Sequence, residues 1–291
     1  MAINLNALRE GPFESCFRTN CVHALSLLVF TRLRVDIWAF GTGQQYTAHQ
    51  STVVKLGNCI EGVTMVQSKF GNGGRMVPVL YYAPQSPPCR SVLMLARRIG
   101  LHLELKLMNE EELTAPAFLA LNPQHTVPTL DDRGLVLSES RVILSYLASA
   151  YGNEADLYPR DYCARAVVDQ RLQFDLGTFY QRVVDYFWPT LLFGASLEPM
   201  KKAKLEEALG WFESMLKYYQ WAAGNHFTIA DISLCVSVSQ IDAFEFDLGA
   251  FPRVCAWFAK CKKELMPFGY EEINQAGANT LAGMFRANSK Q

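Results

Sequence analysis

The sequence predicts a small α/β domain of order βαβαββα, followed by an all-helical domain and preceded by an extension without readable architecture. Three observations carry that reading. From Pro78 to about Gly152 the apolar residues come in short runs bounded by proline and glycine, whereas from Tyr162 onward they recur at helical spacing. Two helices in the first part open directly out of strand-ending turns, at Ser86 and at Ser138 to Ser140. A chain of 291 residues has room for about two domains. The boundaries expected are 1–77 for the extension, 78–152 for the α/β domain and 160–291 for the helical one, with Asn153 to Pro159 as the linker.

Composition removes several functions. The net charge of −1 leaves no electrostatic footprint for nucleic acid. Eight cysteines without a repeated spacing suggest neither a disulfide framework nor a zinc site, and are expected as reduced thiols or packing residues of a cytoplasmic protein. No metal cluster and no hydrolase triad is expected. In the extension, Val22 to Phe30 is too short to span a bilayer, and Glu10, Glu14 and Asp36 argue against a mitochondrial address. The extension is expected to be poorly ordered or absent from the mature protein, and carries no assignable chemistry.

Val79 to Tyr82 favour a strand, and Pro84, Pro87 and Pro88 end it. Proline suits a first helical turn, so Ser86 stands at or just before a helix start, where free N–H groups and the positive dipole end favour an anion. The spacing Ser86-Pro-Pro-Cys89 parallels a C-x-x-C in which the exposed first cysteine is replaced by serine and Cys89 takes the sheltered place. Ser86 is either an ordinary N-cap or a hydroxyl that holds a thiolate. Cys89 to Ile99 reads as a helix with Val92, Leu93, Leu95, Ala96 and Ile99 inside and Arg97 and Arg98 outside, ended by Gly100. Leu101 to Leu107 alternates as a half-buried strand, giving a right-handed parallel crossover.

Glu110 to Leu121 reads as a short irregular helix. Val127, Thr129 and Leu130 look like a strand with Pro128 inside it. Two readings are open: a turn with a cis peptide that frees the Val127 backbone for a ligand, or an edge strand with a trans proline. Asp131 to Gly134 is a hairpin turn, Leu135 to Leu137 the returning strand, and a helix follows with Ser138 as its cap. Ser140 there can offer a hydroxyl and an N–H to a carboxylate, and Glu139 can accept from an ammonium group; simple capping is the competing reading.

Together, Ser86-Pro-Pro-Cys89 after a strand, Asn122-Pro-Gln-His-Thr-Val-Pro-Thr-Leu130, and Ser138-Glu-Ser-Arg141 opening a helix resemble the thioredoxin-like glutathione-binding domain of glutathione S-transferases. The wording around Asn122 is that of the insect Delta class, and the resemblance covers residues 78–291. It implies that Ser86 binds and activates the glutathione thiol, and that Val127 beside a cis Pro128 pairs with the cysteinyl backbone. Glu139 and Ser140 would hold the γ-glutamyl end, with His125 and Arg141 on the glycyl and glutamyl sides. It further implies a homodimer, no cofactor beyond glutathione as co-substrate, and no nucleic-acid or membrane partner. Two departures stand out. The segment between Asn109 and Ala117 is shorter than usual and lacks the histidine common there, and Ser138 replaces a common tryptophan.

In the second domain, Arg165 to Arg182 resembles the same class. Phe179, Tyr180, Val183 and Tyr186 are each either wall of an apolar pocket facing Ser86 or core. Asp175 resembles a carboxylate that, in the family, reaches a partner subunit's glutathione. Pro199 to Trp221 reads as an amphipathic helix, Thr228-Ile-Ala-Asp231 as a capping box opening another, Pro252 as a further helix start, and Glu271 to Arg286 as the last helix, with Leu281 and Phe285 toward the pocket. The activity expected is conjugation of reduced glutathione to a small apolar electrophile, in detoxification. The alternatives are a non-catalytic carrier of the same fold and a thiol–disulfide reductase using Cys89.

Overall fold

The structure, a computed structural model, describes residues 77–153 and 157–289. The expected extension falls, except for Val77, outside the described residues.

Four short strands form one sheet in the order β2-β1-β3-β4: β1 (Val79–Tyr82), β2 (Glu104–Leu107), β3 (Thr129–Asp132) and β4 (Leu135–Leu137). β1 pairs parallel with β2, Leu80 opposite Leu105, and antiparallel with β3, Leu80 opposite Leu130. Helix α1 (Pro87–Arg98) makes the crossover from β1 to β2. Two short helices follow β2, α2 (Glu110–Thr114) and α3 (Pro116–Leu121), because Pro116 can start a helix but not continue one. Helix α4 (Ser140–Ala150) comes after the β3–β4 hairpin. Leu80 and Leu130 are buried with Val92 and Leu95 of α1 and Ile143, Leu144 and Leu147 of α4, so one sheet face and two helices make the core.

The helical part contains α5 (Tyr162–Phe174), α6 (Tyr180–Phe193), α7 (Pro199–Met215), α8 (Ile229–Ala243), α9 (Pro252–Leu265) and α10 (Ala276–Asn288). Helix α8 is its axis, buried at every position from Ile229 to Ile241. The expected capping box is present: Asp231 accepts from the Thr228 N–H at 2.9 Å, and also from the Ala222 N–H and from Trp257 Nε1. Thr228 and Asp231 thus tie the helix start to two other segments.

Several expectations are corrected. The second strand is only four residues long and wholly exposed, Leu105 and Leu107 included, since it is a sheet edge. Arg98 is not outside: its side chain is 9% exposed, ion-paired with Glu264 and stacked on Phe227. The cap of α4 is Glu139 rather than Ser138, whose hydroxyl instead donates to Gln124 Oε1. Wide π turns, Asp175–Phe179 and Tyr270–Gln275, lead into α6 and α10 and shift the helical register that a uniform 3.6-residue count assumes.

Candidate active site

Two helix starts of the α/β domain hold most of the candidate residues. At the first, the prolines at 87 and 88 occupy the opening turn of α1, and Ser86 is the N-cap residue, with φ −67° and ψ 119°. Its hydroxyl makes no capping hydrogen bond, although the position is the one where serine ordinarily caps. The ordinary-cap reading of Ser86 therefore fails, and a partly accessible hydroxyl stands at the positive end of a twelve-residue helix. Behind it Cys89 is fully buried; burial pushes its thiol up to about 11, and the neighbouring Ser86 hydroxyl and Ala83 backbone only partly offset this. A sheltered, protonated thiol is a poor nucleophile, which removes the basis for the reductase reading.

The second start is built from three adjacent residues and their distant partners. Glu139 is exposed and has φ +67°, a strained backbone for a residue with a side chain. Ser140 is 3% exposed, and its Oγ accepts from Arg141 Nη1 at 3.0 Å, leaving the hydroxyl hydrogen to be donated. Arg141 Nε and Nη2 donate to Asp175 Oδ2 at 3.1 and 2.7 Å. Asp175 is in turn held by the hydroxyls of Ser233 and Ser237 from α8. Fully enclosed and saturated within its own chain, Asp175 is not available to a partner subunit, contrary to the expectation for that residue.

Between the two lies the turn before β3. The Val127–Pro128 peptide is cis, and the ladder begins only at Thr129, opposite Tyr81, so Val127 lies outside it. The buried Asn122 side chain shapes the turn, donating to the Thr126 carbonyl and to Thr129 Oγ while accepting from the Gln124 N–H. His125 is exposed with φ +45°, a second strained residue in the same region. Between Asn109 and Ala117, Asn109 and Glu112 cap each other reciprocally in an exposed capping box.

Of the four apolar candidates, Phe179 and Val183 are completely buried, and the Phe179 ring packs on Phe174 and Phe212. Tyr186 is 7% exposed and meets Phe187 and Phe246 edge-on. Tyr180 is partly accessible and lies under the Arg141 guanidinium at 5.1 Å, and burial of its hydroxyl pushes it up to about 12. Leu281 and Phe285 of α10 are nearly buried, Phe285 against Phe187 and Phe244. Among the described residues no group of three or more His, Cys, Asp or Glu could hold a metal ion, and no helix is long and apolar enough to cross a membrane.

The sequence reading missed what holds these residues: Ser233 and Ser237 behind Asp175, and Arg90. The four-residue spacing of Ser233 and Ser237 in the buried helix α8 was the available signal, since it sets two hydroxyls on one face.

A thioredoxin-like sheet whose helix start presents a serine that caps nothing, joined to a helical domain, defines a class that the comparisons specify. The model of the glutathione S-transferase N-terminal domain matches residues 80–155, and that of the C-terminal domain residues 186–264. Glutathione S-transferase D7 of Anopheles gambiae is 67% identical over 218 residues, 74% of this chain and all of the relative. Among solved structures, a Bombyx mori glutathione transferase is 44% identical with a TM-score of 0.71, covering 72% of this chain and 98% of that one. A Nilaparvata lugens delta-class glutathione transferase gives 44% and 0.69, over 72% and 99% of the two chains. The chain belongs to the glutathione S-transferase family, within its insect Delta class.

Proposed function

We propose that this protein joins the thiol of reduced glutathione to small apolar electrophiles, in detoxification, with the Ser86 hydroxyl stabilising the thiolate. The observation that carries the proposal is a serine at an N-cap whose hydroxyl caps nothing. A free thiol titrates near 8.5, and a hydroxyl donor plus the positive helix end lower that value, by about 1.4 kcal/mol for each pKa unit. Ser86 keeps its proton and needs no base. The thiolate sulfur forms the new carbon–sulfur bond while the electrophile's leaving group departs with its electron pair.

The remaining roles belong to the same proposal. Val127 pairs its free backbone with the cysteinyl residue. Glu139 receives the γ-glutamyl ammonium, and Ser140, oriented by Arg141, donates to its carboxylate. His125 serves the glycyl end. Tyr180 is the member of the apolar set best placed to meet a substrate, because it keeps some access; Phe179, Val183 and Tyr186 support the wall from behind. Residues 78–152 act as the glutathione-binding domain and 160–291 as the substrate-binding domain, in a cytoplasmic homodimer without a metal or further cofactor.

The test is conjugation of glutathione to an aryl halide by the full chain, with Ser86→Ala and Cys89→Ala beside it. Turnover that collapses in Ser86→Ala and persists in Cys89→Ala is expected. An inactive wild type that is still retained on immobilised glutathione means a carrier. Activity lost in Cys89→Ala but kept in Ser86→Ala means the thiol chemistry belongs to the chain itself.

A further inference from the structure

Arg90 is 0% exposed, and every acceptor it meets is uncharged. Its Nη1 donates to the Asn274 carbonyl at 2.6 Å and to Asn274 Oδ1 at 2.9 Å, and its Nη2 to Gln240 Oε1 at 2.5 Å. Its Nε is buried without a partner. Burial pulls its pKa down to about 10, so it is still a cation at neutral pH. Burying a charge without a counter-ion is expensive, and the first turn of a helix, where the dipole is already positive, adds to the cost. Arg141 shows the ordinary solution in the same protein: a buried guanidinium answered by the Asp175 carboxylate.

The costly arrangement is held in place. The Arg90 N–H donates to the Ser86 carbonyl at 3.1 Å. Helix α10 lies flush against the side chain: a Cβ on Gly277 would stand 2.6 Å from Arg90 Cδ and 2.6 Å from the Pro84 carbonyl oxygen. The titratable groups that act most on Arg90 are Tyr180 on α6, Tyr270 before α10, Cys89 on its own helix and Cys235 on α8, and among the described residues no carboxylate pairs with it or accepts its hydrogen bonds. Burial pushes Cys89, Tyr180 and Tyr270 upward, so none of these three supplies an anion at neutral pH. Across Tyr180, Arg141 and Asp175 neutralise each other.

Resting on the proposed conjugation, we infer that Arg90 is a positioning residue for the thiolate: the anion missing from its surroundings is the sulfur of glutathione bound in front of Ser86. It does not touch the substrate. Its field, added to the dipole of α1, acts across the Ser86 turn and favours loss of the thiol proton to solvent.

The experiment titrates the thiolate absorbance of glutathione bound to the full chain, with conjugation measured across pH, in the wild type, Arg90→Met, Arg90→Lys and Asn274→Asp. Arg90→Met should raise the bound thiol's pKa by about one unit, a roughly tenfold loss of kcat/KM at pH 6.5 that closes as pH rises, with glutathione KM little changed. Arg90→Lys keeps the charge and should stay within about twofold of wild type, a margin far below the tenfold that one pKa unit represents. Asn274→Asp leaves Arg90 in place but gives it a carboxylate. It should raise the thiol pKa in the same direction, so the test survives if Arg90→Met does not fold. A thiol pKa unmoved in both Arg90→Met and Asn274→Asp overturns the inference, as does an equal, pH-independent loss in Arg90→Lys and Arg90→Met. A wild type that binds no glutathione sinks the proposed function first, which is a different result.

Discussion

Two serines stand at two helix starts of the same small domain, and the structure treats them in opposite ways. Ser86 caps nothing and keeps some access to solvent, with the protonated Cys89 thiol behind it. Ser140 is buried and fixed by Arg141, which is fixed by Asp175, which is fixed by two hydroxyls from α8. A group that must bind a constant part of a ligand gains from such rigidity, because its geometry is settled before the ligand arrives. A group that must respond to a charge appearing on sulfur needs a hydroxyl not already committed elsewhere. Thr228 at the start of α8 is a third case: its hydroxyl and Asp231 complete a cap in the core.

The largest effect expected comes from cutting the wired start. Asp175→Ala leaves the Arg141 charge buried and unanswered, and should cost about 3–5 kcal/mol in denaturant unfolding, together with a higher glutathione KM. An unchanged KM in a folded variant would separate that network from binding. Asp231→Ala should come next, with a loss of about 2–4 kcal/mol as the Ala222, Thr228 and Trp257 donors lose their acceptor, and KM for glutathione unmoved. A shifted KM there would blur the distinction between a structural helix start and a binding one.

A smaller effect concerns the hairpin that delivers Ser140. Burial pushes the Asp132 carboxyl up, but hydrogen bonds from Arg133, Tyr146 and Tyr151 outweigh it and hold it below the usual range. A carboxyl lowered in the folded state adds stability that is full above its unfolded value near 3.9 and is lost as pH falls below it. Asp132→Asn should therefore flatten the acid limb of the stability curve, read as Tm against pH below about 4. His125→Ala should have the smallest effect, a rise in glutathione KM of about fivefold or less, because the residue is exposed and screened.

Much of this was legible in the sequence because it rests on local rules. Prolines at 84, 87 and 88 mark where β1 ends and α1 begins, Thr228 and Asp231 announce their own capping box, and the cis peptide lies at the proline inside the Val127 to Leu130 run. What escaped depends on distant partners. Alternation in Leu101 to Leu107 cannot reveal that the strand is an edge with nothing packed on it. Arg98 looked like a surface charge until Glu264 and Phe227, far along the chain, enclosed it. The π turn at Asp175 to Phe179 rotates the helix after it, so a constant period could not divide wall from core among Phe179, Tyr180, Val183 and Tyr186.

The most direct measurement is kcat and glutathione KM for Ser86→Ala and Ser140→Ala, determined side by side with one aryl halide. Loss of a hydrogen bond to the thiolate should lower kcat of Ser86→Ala about 10- to 100-fold with KM nearly kept. Ser140→Ala should raise KM about tenfold with kcat nearly kept, since it removes uniform binding. A fall in kcat for both variants alike, or a Ser86→Ala whose only defect is in KM, would contradict the division of labour between the two helix starts.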